Sequence, residues 1–449
     1  MPRSSLASAQ IDVSEDPQEM PQPEPDVPFR ILVAGNFSGG ASRMRKPVAI
    51  DRDNFDDVLE LFSPQLNLEF AKAPLAIHFR QLDDFHPDRL FERLPPFQSL
   101  RNLREQLEDG AMLPSAEPMP ASGADLLKQM MGDQTSAAAP APANRSEWDA
   151  MLHQIVAPYA EPRPDPRRPE WIAQTDKAIS GEMRNLLHHP AFQALEAAWR
   201  GLYFLTRRLE TGDNLKIYAW DMPQSELTAP EGLHFLRDVL VEETVGTPGA
   251  SPWAVVAGLY SLGPQHASAL GHIAALARAA GAPLVAGVEP DVVGLSREFD
   301  DLRRTPEARW IGLALPRFLL RLPYGEKTDP TERFAFEEMP ATPEHERYLW
   351  GNPAIACAYL LGEAFTRYGW EMRPGQVSDI TGLPAHVYKS DGESVLKPCA
   401  EVLLTEQAVE HLLRSGLMPL ISIKGTDRVK LALFQSIAQP PKALAGRWA

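Results

Sequence analysis

Six short stretches carry residues whose types could do chemistry. Gly35-Asn36-Phe37-Ser38-Gly39-Gly40 follows an apolar run, the setting in which backbone N–H groups cradle a phosphate. Its spacing is not GxGxxG, and no Gly-Lys-Ser/Thr follows, so a tight connection is the better reading. Asp83-Asp84-Phe85-His86-Pro87-Asp88 gathers three carboxylates and an imidazole. A hard cation needs more oxygen ligands around a defined turn, and Asp88 reads more simply as the N-cap of a helix through Leu90. His188-His189 suggests zinc, yet adjacent histidines point to different sides of a helix and no third ligand stands at i+4. Cys357 lies among Ala354, Ile355, Ala356 and Ala358, a context that raises a thiol pKa and blunts its nucleophilicity. The polar groups of Ile423-Lys424-Gly425-Thr426-Asp427, and of Gln435-Ser436, fit hydrogen bonds to a turn or an interface. No GxSxG occurs, and no nucleophile, base and orienting acid assemble from local spacing. These residues predict neither an enzyme nor a cofactor or metal site.

Composition narrows the classes further. The 449 residues carry 44 Lys+Arg against 60 Asp+Glu, a net charge of −16, which argues against a nucleic-acid binder because counterion release needs clustered cations. Two cysteines, Cys357 and Cys399, exclude a disulfide framework and fit a reducing compartment. The apolar windows Trp253–Leu262 and Ile273–Val288 are short or interrupted by Gly263, Pro264, Arg278 and Pro283, below the roughly 20 residues of a spanning helix. The first 30 residues are acidic and Pro-rich, unlike a signal peptide. A soluble, cytoplasmic protein without membrane insertion is expected.

The elements that must position these residues follow from periodicity. Residues 1–27 read as a disordered acidic arm. Residues 28–109 read as a small α/β unit: a strand over Phe29–Ala34, a helix with Phe55, Val58, Leu59 and Phe62 on one stripe, a strand carrying Ile77 and Phe79, then two helical pieces around Pro95-Pro96. Residues 110–145 are a Pro/Ala/Ser linker enclosing a short amphipathic helix, whose Leu126, Leu127, Met130 and Met131 make either a fraying turn or a docking face for a partner. Residues 146–214 form a helical docking region. Prolines from Pro158 to Pro169 predict an extended crossing, followed by a helix whose stripe is Phe192, Leu195, Trp199, Leu202, Leu205 and Leu209. Residues 215–449 alternate strands and helices, with continuous apolar strands near Trp253–Tyr260 and Pro283–Val288, a helix over Leu233–Val241 and an Ala-rich helix ending at Gly281. The expected fold class is mixed α/β, a parallel or mixed sheet flanked by helices.

The order of longer motifs adds a resemblance. Pro28-Phe29-Arg30-Ile31-Leu32-Val33, Gly35-Asn36-Phe37-Ser38-Gly39, Arg45-Lys46-Pro47 and Asp51 to Asp56 resemble the small sheath subunit of the type VI secretion system. His188 to Glu196, Trp199-Arg200-Gly201-Leu202, Arg317 to Gly325, Phe336-Glu337-Glu338, Tyr348 to Asn352 and Gly416 to Asp427 resemble the large one. The likeness covers about 28–109 and 148–442. It implies a contractile-sheath protomer whose small and large parts pair, stack around an inner tube and work by conformational change. The partners it implies are other sheath protomers, inner-tube protein, baseplate components and an AAA+ unfoldase, which the linker helix is suited to engage. Two departures stand out: both subunits share one chain, and the chain stops at Ala449, where the family's large subunit is expected to continue. The latter leaves a rival reading, a non-polymerising accessory paralogue that binds sheath, baseplate or inner tube. A remoter rival is an α/β nucleotide-binding enzyme using Gly35–Gly40. In the leading reading Phe192, Leu195, Trp199 and Leu202 clamp the two parts together.

Overall fold

Alternation along Phe29–Gly35 sets the architecture: Phe29, Ile31 and Val33 enter one apolar cluster, while Leu32 and Ala34 enter another on the opposite side. A computed structural model describes residues 23–24, 26–40, 45–70, 73–109, 167–245, 247, 249–289, 297–390 and 392–448. The linker with Leu126, Leu127, Met130 and Met131, most of the N-terminal arm and the Trp148–Val156 stretch lie outside the described residues.

In chain order the strands are β1 (Phe29–Gly35), β2 (Val48–Ile50), β3 (Gln65–Phe70), β4 (Ala73–His78), β5 (Leu215–Asp221), β6 (Val255–Leu262), β7 (Leu284–Val288) and β8 (Ile311–Leu315). They continue as β9 (Phe318–Leu319), β10 (Trp350–Gly351), β11 (Asp379–Ile380), β12 (Val387–Ser390), β13 (Glu393–Leu396), β14 (Leu417–Ser422) and β15 (Val429–Leu431). One sheet runs β11-β15-β14-β8-β7-β6-β1-β5-β2. From β5 through β14 its neighbours are parallel, and antiparallel strands close both sides. The parallel core explains the unbroken apolar runs, because helices cover both faces. The chain is mixed α/β, a large mixed sheet flanked by helices.

β1 lies inside this sheet. Phe29 stands opposite Leu215 and Gly35 opposite Asp221 on one side, while Ile31 faces Val255 and Ala34 faces Gly258 on the other. A strand from the front of the chain is therefore bracketed by two strands that follow residue 214.

The rest of the front segment packs around it. The Phe55–Phe62 helix buries Phe55, Val58, Leu59 and Phe62. The β3–β4 hairpin turns Leu66, Leu68, Leu75 and Ile77 into the same cluster. Pro95 and Pro96 open the Pro95–Glu108 helix, where a missing N–H costs nothing. Pro169 does the same for the Arg168–Leu187 helix, which buries Ile179, Met183, Leu186 and Leu187. The proline run thus predicted an extended crossing where, from Arg168 on, a helix stands.

Helix ends in the second half are set by capping residues. Thr405 Oγ1 accepts the Ala408 N–H at 3.2 Å, Asn352 Oδ1 accepts the Ala354 N–H at 3.0 Å, and the Ala267–Ala280 helix ends on Gly281 at φ 65°, a left-handed cap suited to glycine. The helix read over Leu233–Val241 starts earlier, at Pro230, and changes to a π-helix over Asp238–Val245. There the Trp253 indole N–H donates to the Val239 carbonyl at 2.9 Å.

Candidate functional site

The Pro190–Arg208 helix starts where His189 Nδ1 accepts the Ala191 N–H at 3.3 Å and Pro190 fills the first turn. Its stripe is buried: Phe192 and Leu202 are 0% exposed, Leu195 2% and Trp199 0%. The Trp199 ring meets Phe37, Phe55 and Phe62 edge-on at centroid distances of 5.1, 5.9 and 5.7 Å. Its Nε1–H donates to the Phe37 carbonyl at 2.9 Å, giving the buried polar end of the indole a partner. Phe192 meets Phe79 and Phe85 edge-on at 5.9 and 5.7 Å. Phe192 and Trp199 therefore face side chains from the front segment, and Leu195 and Leu202 are buried in the same apolar cluster.

The same helix carries a second, polar set. Glu196 is wholly buried and accepts from Arg200 Nε at 2.6 Å and from Arg321 Nε at 2.8 Å. Arg321 also donates through Nη1 and Nη2 to Glu338 at 2.7 and 3.1 Å. Glu338 further accepts the Tyr324 N–H at 2.8 Å, and His188 Nε2 lies 3.2 Å from its Oε1. Arg200 Nη2 donates to the Tyr324 hydroxyl at 2.9 Å, and the Arg321 guanidinium lies 4.2 Å over the Tyr324 ring. Two carboxylates thus face two guanidinium groups, so charges that would be expensive alone are neutralised and hydrogen-bonded.

The electrostatics follow from burial set against pairing. Burial opposes ionisation of the Glu338 carboxyl, but the Arg321 charge and the His188, Arg321 and Tyr324 hydrogen bonds prevail and hold it down at about 2. Burial likewise opposes the Arg321 charge, and Glu196 and Glu338 overcome it, keeping the guanidinium protonated far above its ordinary range. Burial lifts the Tyr324 phenol to about 12, against the pull of Arg200 and Arg321. On these shifts Glu338 and Arg321 stay charged at neutral pH and the Tyr324 phenol keeps its proton.

The chemistry-bearing stretches are largely occupied by the protein's own groups. The Phe37 and Ser38 N–H groups donate to Asp221 Oδ1 at 2.8 and 3.0 Å; a carboxylate from β5 fills the place a phosphate would need. Asp84 accepts the Arg80 N–H at 2.7 Å and pairs with Arg93. Asp88 is not the cap expected of it: the His86 side chain accepts the Asp88 N–H at 3.2 Å and caps the Pro87–Arg93 helix. The Asp88 carboxylate instead accepts the N–H groups of Glu332 and Arg333 at 2.9 and 3.1 Å. Cys357 is buried in its helix, and burial pushes its thiol up to about 12. Gln435 Nε2 donates to the Leu413 and Leu417 carbonyls at 2.9 and 2.7 Å, an internal tie. Among the described residues no three His, Cys, Asp or Glu side chains are placed to hold a metal, and no helix is long and apolar enough to cross a membrane.

Reading the helix for its apolar stripe missed Glu196, Arg321, Tyr324 and Glu338. The signal was present: Arg321 interrupts Phe318-Leu319-Leu320 and Leu322, and Glu196 stands four residues before Arg200 on the buried side of the helix. A charge embedded in an apolar run is rarely buried without a partner.

Sequence comparisons fall on the same two parts. Residues 169–298 and 296–438 match the VipB family, described as EvpB/VC_A0108, tail sheath N-terminal domain. Residues 11–137 match the type VI secretion system family described as VipA, VC_A0107 or Hcp2. The type VI secretion system sheath protein TssC1 of Pseudomonas aeruginosa is 33% identical over 305 residues, covering 60% of this chain and 61% of TssC1. The chain therefore spans less than two thirds of the length of that relative.

Proposed function

The chain belongs to the tail sheath family of type VI secretion systems, and on that premise we propose that it is a sheath protomer with its small and large parts closed on each other within one chain. The observation that carries this reading is the place of β1, hydrogen-bonded to β5 on one side and β6 on the other. A part that supplies an interior strand is a constituent of the fold, not an appendage. The Phe192, Leu195, Trp199 and Leu202 stripe serves as the clamp, joined by the Arg321 cluster.

In this reading the protein acts through surfaces and conformational change, not catalysis. Its partners are further protomers, the inner-tube protein and baseplate components, in the cytoplasm, with an AAA+ unfoldase acting on the spent assembly. Leu126, Leu127, Met130 and Met131 are the docking face offered to that last partner. Joining the two parts by a linker keeps the second at an effective concentration of order millimolar, so closure precedes assembly. Electron microscopy of the purified protein, alone and with inner-tube protein, tests the proposal. Ordered tubular assemblies are expected with the inner tube; particles that stay dispersed under both conditions would refute it.

A further inference from the structure

Between Thr331 and Glu338 the chain forms neither helix nor strand, so its path is set by the groups that grip it. At its start Glu332 and Arg333 donate consecutive N–H groups to Asp88 Oδ2 and Oδ1 at 2.9 and 3.1 Å. Arg333 Nε pairs with Glu92 Oε1 at 2.6 Å, and Phe334 stacks on Phe91 at 4.6 Å. All three grips come from one helix of the front segment, Pro87–Arg93.

Beyond that point exposure alternates: Ala335 and Glu337 are exposed, while Phe336 and Glu338 are buried. Phe334 contacts Phe336 at 5.4 Å, and Arg184 Nε donates to the Glu337 carbonyl at 2.9 Å. At the end the Glu338 N–H donates to the Tyr324 carbonyl at 2.9 Å, and its carboxylate meets Arg321. One irregular stretch thus runs from a front-segment carboxylate to the middle of the buried charge cluster. It has no backbone ladder of its own to hold its shape if either grip is lost.

We propose that Asp88 is a positioning residue: by seating the Glu332 and Arg333 amides it sets where Glu338 lies, and so makes completion of the Arg321 cluster depend on docking of the front segment. The cluster then closes fully only in a chain whose two parts are together. This deepens the closed-protomer reading and rests on it, but its test uses the isolated full-length chain. A protein that shows the coupling yet never polymerises would fail only the assembly reading.

The experiment is residue-resolved amide hydrogen exchange on the full chain and its D88A and D88N variants. D88A is expected to speed exchange roughly tenfold at Glu332 and Arg333, the scale of a lost hydrogen bond to a charged group, and also to speed it at Glu338. D88N, which keeps one acceptor oxygen, falls between. Faster exchange at Glu332 and Arg333 with Glu338 at its wild-type rate overturns the proposal, as does a change confined to Leu90 and Phe91 of the Asp88 helix. Denaturant midpoints of D88A, E338Q and the double variant give an independent readout: a combined shift smaller than the sum supports coupling, and additive shifts overturn it. Should D88A not fold, the same comparisons made with D88N decide.

Discussion

Trp199 donates its indole N–H to the carbonyl of Phe37 at 2.9 Å, while its ring lies edge-on to that same phenylalanine at 5.1 Å. One side chain thus holds both the backbone and the side chain of the loop that follows β1. The loop is held from its other side by the Asp221 carboxylate. The tight connection read from the sequence is therefore pinned between a helix and a strand.

Replacing Trp199 by Ala should cost about 3–5 kcal/mol, the range for emptying a fully buried aromatic site. Trp199→Phe should cost less, since it keeps most of the packing and loses the bond to the Phe37 carbonyl. Urea unfolding followed by circular dichroism checks both. An unchanged W199A midpoint would contradict the clamp.

Breaking the charge cluster from one side should be severe at neutral pH. Glu338→Gln leaves Arg321 with one carboxylate in a buried site, a loss of about 3–5 kcal/mol. The same denaturant titration measures it.

The cluster should also leave a mark on acid stability. The Glu338 carboxyl is held at about 2 in the folded chain against an ordinary 4.5. As pH falls the unfolded chain takes the proton first, so the contribution is complete above about 4.5 and disappears by about 2. Its size is on the order of 3 kcal/mol. Stability measured from pH 6 downward should therefore fall more steeply in wild type than in E338Q across that window; parallel curves would show that the carboxyl does not carry the effect.

Asp221→Ala should strand the Phe37 and Ser38 N–H groups and cost about 1–3 kcal/mol. Thermal melts with and without millimolar phosphate give the check. If Asp221 alone accounts for those donors, the variant melts lower, and phosphate leaves the wild-type midpoint where it was.

Cutting the chain at a protease site inserted between Asp109 and Arg167 should leave both pieces together. The β1 ladders to β5 and β6 and the buried aromatic contacts remain after the cut. Size-exclusion chromatography of the cut protein should show one peak containing both pieces, and separate elution at micromolar concentration would count against an integrated front segment.

Local pattern made much of this fold legible. Phe55, Val58, Leu59 and Phe62 declared their helix through spacing, and Gly281 marked the end of the Ala-rich helix. Long-range pairing was not legible. Nothing in Phe29–Gly35 names Leu215 or Val255 as its neighbours, because parallel partners are fixed by topology, not by adjacent residues. The Trp199 stripe was visible because apolar periodicity is a one-dimensional signal. The Arg321 cluster was not, since its members come from three separate segments whose charges are balanced only in space. Asp88 was misread for a related reason: an acid at the start of a helix looks like a cap until a distant loop supplies the N–H groups it prefers.

The interior place of β1 also bears on the order of events at the ribosome. Phe29 is synthesised early, whereas Leu215 and Val255, which flank its strand, come much later. Until both later strands have emerged, an apolar ribbon with two open edges waits for neighbours that do not yet exist. Nascent chains stalled ahead of β6 should be the ones most in need of a chaperone, and the ones most prone to capture a stray strand.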